Sequence, residues 1–248
     1  MNMRLMLCVI LYALPLALFA AGGNLHSYRA DVDVSDTKSL QQGARTFVNY
    51  CMGCHSAKFM RYNRMGADLG LSDEILKANF MFGTDKTSDL MTIAMSDEDA
   101  KQMFGGVAPP DLSVTARYRG ADWLTTYFMT FYLDPARPMG VNNLAFKDVG
   151  MPHALMELQG AQRAVYKTAT DTNGKAVNVI DHLELVAPGT QNQKEYEQTV
   201  RDLVNFMVYL GEPVRLKRQQ IGIYVITFLF FLLGVVYLMK REYWKDIH

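Results

Sequence analysis

The chain has 248 residues, of which 50% are hydrophobic and 20% are charged, and its 25 basic residues balance its 25 acidic residues. Zero net charge argues against a nucleic-acid-binding protein, which usually carries a basic excess, and three cysteines are too few for a disulfide scaffold. The balance conceals a division: residues 1–22 carry one basic residue, residues 211–248 carry six basic and three acidic residues, and residues 23–210 carry 18 basic and 22 acidic residues.

Residues 1–22 are typical of a secretory signal peptide. Arg4 precedes an uncharged, apolar run that ends in small residues. A retained transmembrane helix is the alternative, but the run is short and contains Pro15. Cleavage would also remove Cys8 and leave an exported domain, which we assign to residues 23–212.

A helix is predicted ahead of the principal motif. Ser39 and Gln42 have the spacing of a capping box at its start. Apolar residues then recur at helical spacing and define one face. These residues are Leu40, Ala44, Phe47, Val48 and Cys51.

The motif Cys51-Met52-Gly53-Cys54-His55 closes this helix and has the Cys-x-x-Cys-His spacing of covalent haem attachment. Positions i, i+3 and i+4 of a helical turn share one side, so two thiols can add to porphyrin vinyl groups while His55 reaches the iron. A thioredoxin-like pair should open a helix after a strand, and a zinc site would lack a second cysteine pair. The motif predicts one haem c, held by Cys51 and Cys54, with His55 as an axial ligand.

Two elements are predicted in the middle of the chain. A helix capped by Asp122 should continue to Leu133, with an aromatic stripe on one face. Residues 165–170 and 176–180 flank Asn173-Gly174, which is a type I′ hairpin signal.

The sixth iron ligand is less well defined by the sequence. Met151 lies between a glycine and a proline, which favour the extended loop backbone that can present a thioether to a metal. Met139 and His153 are the alternatives.

The chain ends with two predicted helices. An amphipathic helix from Tyr196 to Val208 should stop at Gly211 and Pro213. Residues 219–239 then form an uncharged apolar run of membrane-spanning length within an anchor segment, 213–248. The predicted fold is mainly α, with a small β-hairpin and one C-terminal transmembrane helix. A basic cluster follows the run, so the anchor should return a short tail to the cytoplasmic side.

Several motifs together resemble the cytochrome c1 family, the haem subunits of the ubiquinol–cytochrome c oxidoreductase (cytochrome bc1) complex. Besides the haem motif and the anchor, they are Ala108-Pro109-Pro110-Asp111-Leu112-Ser113, Arg137-Pro138-Met139-Gly140-Val141-Asn142-Asn143 and Gly150-Met151-Pro152. The resemblance covers nearly all of the chain after the signal segment. It implies a c-type cytochrome domain whose first and last helices pack together beside the haem.

The resemblance also implies roles for single residues. Met151 would be the axial ligand opposite His55, Pro110 would pack on the haem plane, and Arg117 would lie by a propionate. Trp123 occupies a place where relatives often carry a tyrosine near the propionates. The stretch 103–106 departs from the family pattern, because many relatives have asparagines there.

The function implied is one-electron transfer from the Rieske iron–sulfur protein, through this haem, to a soluble cytochrome c. Cytochrome b and membrane lipid would be further partners, in a dimeric complex at the inner membrane with the haem domain on the periplasmic side. This chain alone would catalyse no reaction. The alternatives are another membrane-anchored monohaem cytochrome, such as an oxidase subunit, and a haem enzyme or sensor with an open sixth position.

An acidic segment offers a docking surface for a basic cytochrome c. Residues 68–99 contain eight acidic residues against two lysines. A solvated surface without a partner is the simpler explanation. Complementary charge would instead accelerate transient encounters.

Overall fold

The computed structural model describes residues 27–170 and 174–245. The predicted signal peptide therefore lies outside the described residues. The described helices are α1 (Thr37–Tyr50), α2 (Tyr62–Leu69), α3 (Asp73–Asn79), α4 (Asp97–Met103), α5 (Thr115–Arg119), α6 (Ala121–Met129), α7 (Met156–Gln159), α8 (Gln193–Gly211) and α9 (Arg215–Tyr243). The described strands are β1 (Ala57–Arg61), β2 (Leu90–Met91), β3 (Phe131–Leu133), β4 (Val141–Asn143), β5 (Gly160–Thr170) and β6 (Ala176–Pro188).

The core is built on the contact between α1 and α8, the first and last helices of the haem-motif domain. The rings of Phe47 and Phe206 meet with centroids 5.5 Å apart, and both side chains are fully buried. Gly43 lets the two backbones come close, since a Cβ placed there would lie 2.0 Å from the carbonyl oxygen of Asp202. The predicted packing of the first helix on the last is confirmed.

The predicted start of α1 is wrong by three residues. Asp36 is the N-cap, and its carboxylate accepts a hydrogen bond from the Ser39 amide. The Ser39 hydroxyl instead donates to Asp202 on α8 at 2.6 Å. Ser39 lies inside the helix, and its hydroxyl satisfies the buried Asp202 carboxylate on α8. Local spacing does not reveal this long-range hydrogen bond.

The helix predicted from Asp122 to Leu133 is also wrong at both ends. Gly120 is the N-cap of α6, and the Asp122 carboxylate accepts from the Ala30 amide instead. The helix stops at Met129, and residues 131–133 form β3, which pairs antiparallel with β4. Pairing with β4 satisfies the backbone of this aromatic segment in an extended form that aromatic residues tolerate well.

The hairpin is confirmed but is much longer than predicted. Strands β5 and β6 pair antiparallel from Gly160–Pro188 to Thr170–Ala176, and the sheet order is β4-β3-β5-β6. Gly174 has a φ of +77°, as a tight turn requires. Asn173 lies outside the described residues.

The two C-terminal helices are confirmed, with α9 extending four residues beyond the prediction at each end. An Asn192–Glu195 capping box starts α8. Helix α9 has 29 residues and is apolar enough to cross a membrane. At 1.5 Å per residue it is about 44 Å long, and its apolar side chains are exposed in the described protein. It suggests a membrane anchor.

The close approach at Gly43 predicts that Gly43→Ala destabilises the protein. The new methyl group would overlap backbone, which cannot move aside as a flexible side chain can. We expect a loss of about 1–3 kcal/mol in the free energy of unfolding, measured by denaturant titration of the detergent-solubilised chain with circular dichroism. Gln42→Ala, at the neighbouring position of α1, which is exposed, is the control. Equal stability of the two variants would contradict the prediction.

Candidate haem site

The haem-attachment motif forms a tight turn directly after α1. The amides of Cys54 and His55 both donate to the carbonyl of Cys51, at 3.1 and 2.9 Å. Both thiols are free, with Cys51 buried and Cys54 partly exposed. Burial, with a smaller contribution from the charge of Cys54, raises the pKa of Cys51 to about 12, so this thiol keeps its proton at neutral pH.

His55 is oriented by a main-chain carbonyl. Its Nδ1–H donates to the carbonyl oxygen of Pro110 at 2.7 Å, and Nε2 has no hydrogen-bond partner in the part of the chain that the structure describes. Burial, only partly offset by this hydrogen bond, lowers the pKa of His55. The imidazole is therefore held as a neutral ring with Nε2 available as a ligand.

Hydrogen bonds join the segment 110–113 to the residues that follow the haem motif. The Leu112 amide donates to the carbonyl of Ser56 at 2.8 Å. The Lys58 amide donates to the carboxylate of Asp111 at 2.9 Å. The hydroxyl of Ser113, which is buried, accepts from the Phe59 amide at 3.1 Å. The Pro-Pro-Asp-Leu-Ser motif thus has a structural role, because it places the Pro110 carbonyl against His55.

Met151 is presented by a loop that is fixed three residues upstream. Asp148 has a φ of +62°, which is unusual for a residue with a side chain. The Arg137 guanidinium bonds to the Asp148 carboxylate at 3.0 Å, and the Asn142 side-chain oxygen accepts from the Asp148 amide at 2.8 Å. Two members of the Arg137–Asn143 motif therefore hold the turn that leads to Met151.

The other side of the loop is fixed by α6. The Asn143 side chain donates to the carbonyl of Tyr127 at 2.7 Å, and the Tyr127 hydroxyl donates to the sulfur of Met151 at 3.4 Å. Met151 is half-buried against the apolar core that also contains Cys51. Burial raises the pKa of Tyr127 well above its ordinary value, so its hydroxyl remains a donor.

The two alternative sixth ligands are less suitable in this geometry. His153 donates through Nε2 to Gln159 at 2.7 Å and stacks on Phe131 with ring centroids 4.7 Å apart, so it is tied to a neighbouring element. Burial lowers its pKa to about 4. Met139 lies in an exposed turn before Gly140. Met151 stays the predicted ligand.

Arg119 is a candidate that the sequence analysis missed. Its guanidinium lies 4.7 Å from the ring centres of Tyr118 and Trp123, and Trp123 stacks on Tyr127 at 5.0 Å. These contacts join Arg119 to the Met151 loop. Arg117 instead lies against Gly211 at the end of α8. Arg119 ends α5 and Trp123 lies in α6, with Gly120 between them, so no spacing within one helix signalled this contact.

The donor set fits a haem. It comprises two thiols one turn apart, an imidazole with a free Nε2 and a thioether on a separate loop, on a mainly helical domain followed by a membrane-spanning helix. These features define a membrane-anchored c-type cytochrome.

The chain belongs to the cytochrome c1 family. A sequence profile described as Cytochrome C1 family matches residues 27–247. Cytochrome c1 of Allochromatium vinosum is 48% identical over 245 residues, which are 99% of each chain. A protein of Nitrosomonas europaea named ammonia monooxygenase gamma subunit is 46% identical over 99% of this chain and 98% of its own length. The alignment with cytochrome b/c1 of Bradyrhizobium diazoefficiens is 23% identical and spans 91% of this chain and 36% of that protein.

Membership in this family makes the chain a haem c-containing electron-transfer subunit of a bc1 complex, with cytochrome b as its partner. The confirmed expectations are the family, the mainly α fold with a membrane helix, and the haem cofactor. The individual haem contacts remain predictions.

The network around Asn142 predicts that Asn142→Ala destabilises the Met151 loop. Asn142 is buried and accepts from two amides while it donates to Asp134 at 2.9 Å. Its removal leaves these groups unsatisfied, so we expect a loss of about 1–3 kcal/mol in the free energy of unfolding. Asn79→Ala, which removes an exposed bond within α3, is the control and should cost much less. Equal costs in denaturant titrations would refute the role.

Proposed function

We propose that this protein carries one haem c and relays single electrons from the Rieske iron–sulfur protein to a soluble cytochrome c. In attachment, each thiol of Cys51 and Cys54 adds across one vinyl group: the sulfur bonds to one vinyl carbon and the hydrogen goes to the other. His55 and Met151 would be the axial ligands. The observation that carries the proposal is that the His55 imidazole and the Met151 thioether are each held by a hydrogen-bond network of their own.

The protein's own residues would keep this site closed to substrates. The Pro110 carbonyl holds His55 in one tautomer, while Asn142 and Arg137 hold the Met151 loop. The haem, when bound, supplies an iron that cycles between ferric and ferrous states. With His55 and Met151 both holding the iron, the site would be suited to moving electrons rather than to binding a reactant.

A proline would pack on the haem plane, and an arginine would bind a haem propionate. Pro110 is exposed while its carbonyl oxygen is engaged, which leaves the ring free to pack on the macrocycle. Arg117 is the propionate partner that the family resemblance implies. Arg119 is the second candidate, favoured by its contacts through Trp123 to the Met151 loop. Either guanidinium would give a charge-assisted hydrogen bond.

We further infer that the chain is exported and anchored in the inner membrane, within a dimeric complex. The signal segment 1–22 would direct the haem domain to the periplasm. Lys240 and Arg241 in the last turn of α9 and Lys245 beyond it would keep the C-terminal end on the cytoplasmic side. Membrane lipid would cover the exposed apolar surface of α9.

Replacement of Met151 tests the ligand assignment and the function together. Met151→Leu removes the sulfur while keeping an apolar side chain. We expect the reduced haem to bind carbon monoxide and the potential to fall, because a thioether stabilises ferrous iron. Optical spectra and a redox titration would measure both effects. Met139→Leu is the control and should leave the native spectrum unchanged.

Two outcomes would count against the proposal. A Met151→Leu variant that keeps a low-spin spectrum and the native potential would exclude Met151 as the ligand. Carbon monoxide binding by the unaltered reduced protein would favour the alternative, a haem enzyme or sensor with an open position.

Electron delivery to a soluble cytochrome c would use part of the acidic segment. The fold itself uses several of these carboxylates: Asp68 accepts from Arg64 and Tyr209, Asp89 from Thr84, and Asp99 from Ser96. Asp97 and Glu98 are exposed in the first turn of α4 and have no side-chain partner among residues 27–170 and 174–245. The residues just before α4 line a cleft of about 530 Å³ that also borders Met52 and Gly53 of the haem motif. These two carboxylates therefore follow closely in the chain after residues that line a cleft beside the haem motif.

Neutralisation of this pair tests the docking surface. The double variant Asp97→Asn and Glu98→Gln should slow electron transfer to a basic cytochrome c by about two- to tenfold at low ionic strength. The difference should vanish at high salt, because screening removes the contribution of both charges. Stopped-flow kinetics across a salt series would measure it. Glu184→Gln, an exposed acid on β6, is the control. Unchanged rates at every ionic strength would rule out this surface.

A further inference from the structure

The Tyr127 hydroxyl donates to the Met151 sulfur at 3.4 Å, and no other hydrogen-bond partner of this hydroxyl is present in the described parts of the chain. We propose that Tyr127 is a positioning residue that sets the reduction potential of the site through this hydrogen bond. The inference rests on the proposed function, because it requires Met151 to be the axial ligand. It gives a role to a residue that neither the haem motif nor the family motifs include.

The tyrosine ring is held so firmly that its hydroxyl cannot readily turn away. Trp123 stacks on one side at 5.0 Å, and Phe128 and Phe131 meet the ring edge-on at 5.6 and 5.0 Å. The Tyr127 carbonyl is anchored by Asn143 at 2.7 Å. The ring and backbone are thus fixed independently of the hydroxyl, so loss of the hydroxyl alone should leave the ring in place.

The expected direction of the effect follows from the electronics of the sulfur. A thioether sulfur accepts hydrogen bonds weakly and has two lone pairs, so one can accept from Tyr127 while the other is a ligand. Donation by the hydroxyl withdraws electron density from the sulfur and makes it a poorer donor to iron. Ferric iron depends on donated charge more than ferrous iron does. The hydrogen bond therefore favours the ferrous form and raises the potential.

Tyr127→Phe in the full, haem-loaded chain in detergent is the direct test. We expect the low-spin spectrum to persist and the equilibrium to shift about two- to tenfold towards the ferric form, as for the loss of one ordinary hydrogen bond. A spectroelectrochemical titration measures the shift. Tyr196→Phe is the matched control, because its buried hydroxyl donates at 2.8 Å to the Phe128 carbonyl and not to Met151. The control should lower stability without changing the potential.

Site-specific incorporation of 3-fluorotyrosine at position 127 gives a second measurement with the opposite sign. The substituted phenol keeps the ring and hydroxyl but is a stronger donor, so the potential should rise. This measurement decides the matter if the phenylalanine variant fails to fold.

The results separate failure of this inference from failure of the ligand assignment. An unchanged potential in both Tyr127 variants, or an equal shift in Tyr196→Phe, would overturn the role of Tyr127. If Met151→Leu also kept a native low-spin spectrum, the ligand assignment itself would have failed. A native potential in both Tyr127 variants together with a lost low-spin spectrum in Met151→Leu would overturn the hydrogen-bond role alone.

Discussion

The close packing of α1 on α8 is the constraint on which the site depends. Helix α1 ends where the haem motif begins, so the direction of α1 sets the direction of the turn that carries Cys51, Cys54 and His55. That direction is fixed by the glycine contact at Gly43 and by the paired rings in the core. The buried Ser39–Asp202 hydrogen bond fixes the register of α1 against α8. A shift by one residue would leave the buried Asp202 carboxylate without this donor.

From this base, the two axial candidates are fixed by separate means. His55 is oriented by the backbone carbonyl of Pro110, whose segment is itself held by hydrogen bonds to the residues after the haem motif. Met151 is held by side-chain amides, an ion pair and a tyrosine hydroxyl. The motifs that carry the family resemblance thus share one physical purpose. They restrict two loops by hydrogen bonds, so that the proposed ligand pair would need little rearrangement when the iron changes its charge.

Local periodicity was enough to predict the haem motif, the helix before it, the last amphipathic helix and the membrane helix. Each depends on spacing within one segment. The errors arose where a distant residue decides the outcome. Ser39 serves Asp202, 163 positions away in the chain, and β3 exists because β4 pairs with it. Arg119 was overlooked for a similar reason, since its guanidinium meets Trp123 across the helix break at Gly120 and meets Phe146 from a separate loop.

Charge shows the same dependence on the fold. A count of acidic residues treats all of those between 68 and 99 as one surface, yet Asp68, Asp89 and Asp99 are bound by neighbouring hydroxyl or guanidinium groups. A carboxylate already engaged in this way has less field to offer an approaching partner, because its charge is partly neutralised or its oxygens are occupied. Asp97 and Glu98, by contrast, begin the short helix α4, which follows in the chain the residues that line the cleft beside the haem motif. The zero net charge of the chain therefore says little about its partners. What matters is which few charges the fold leaves unused, and where it leaves them.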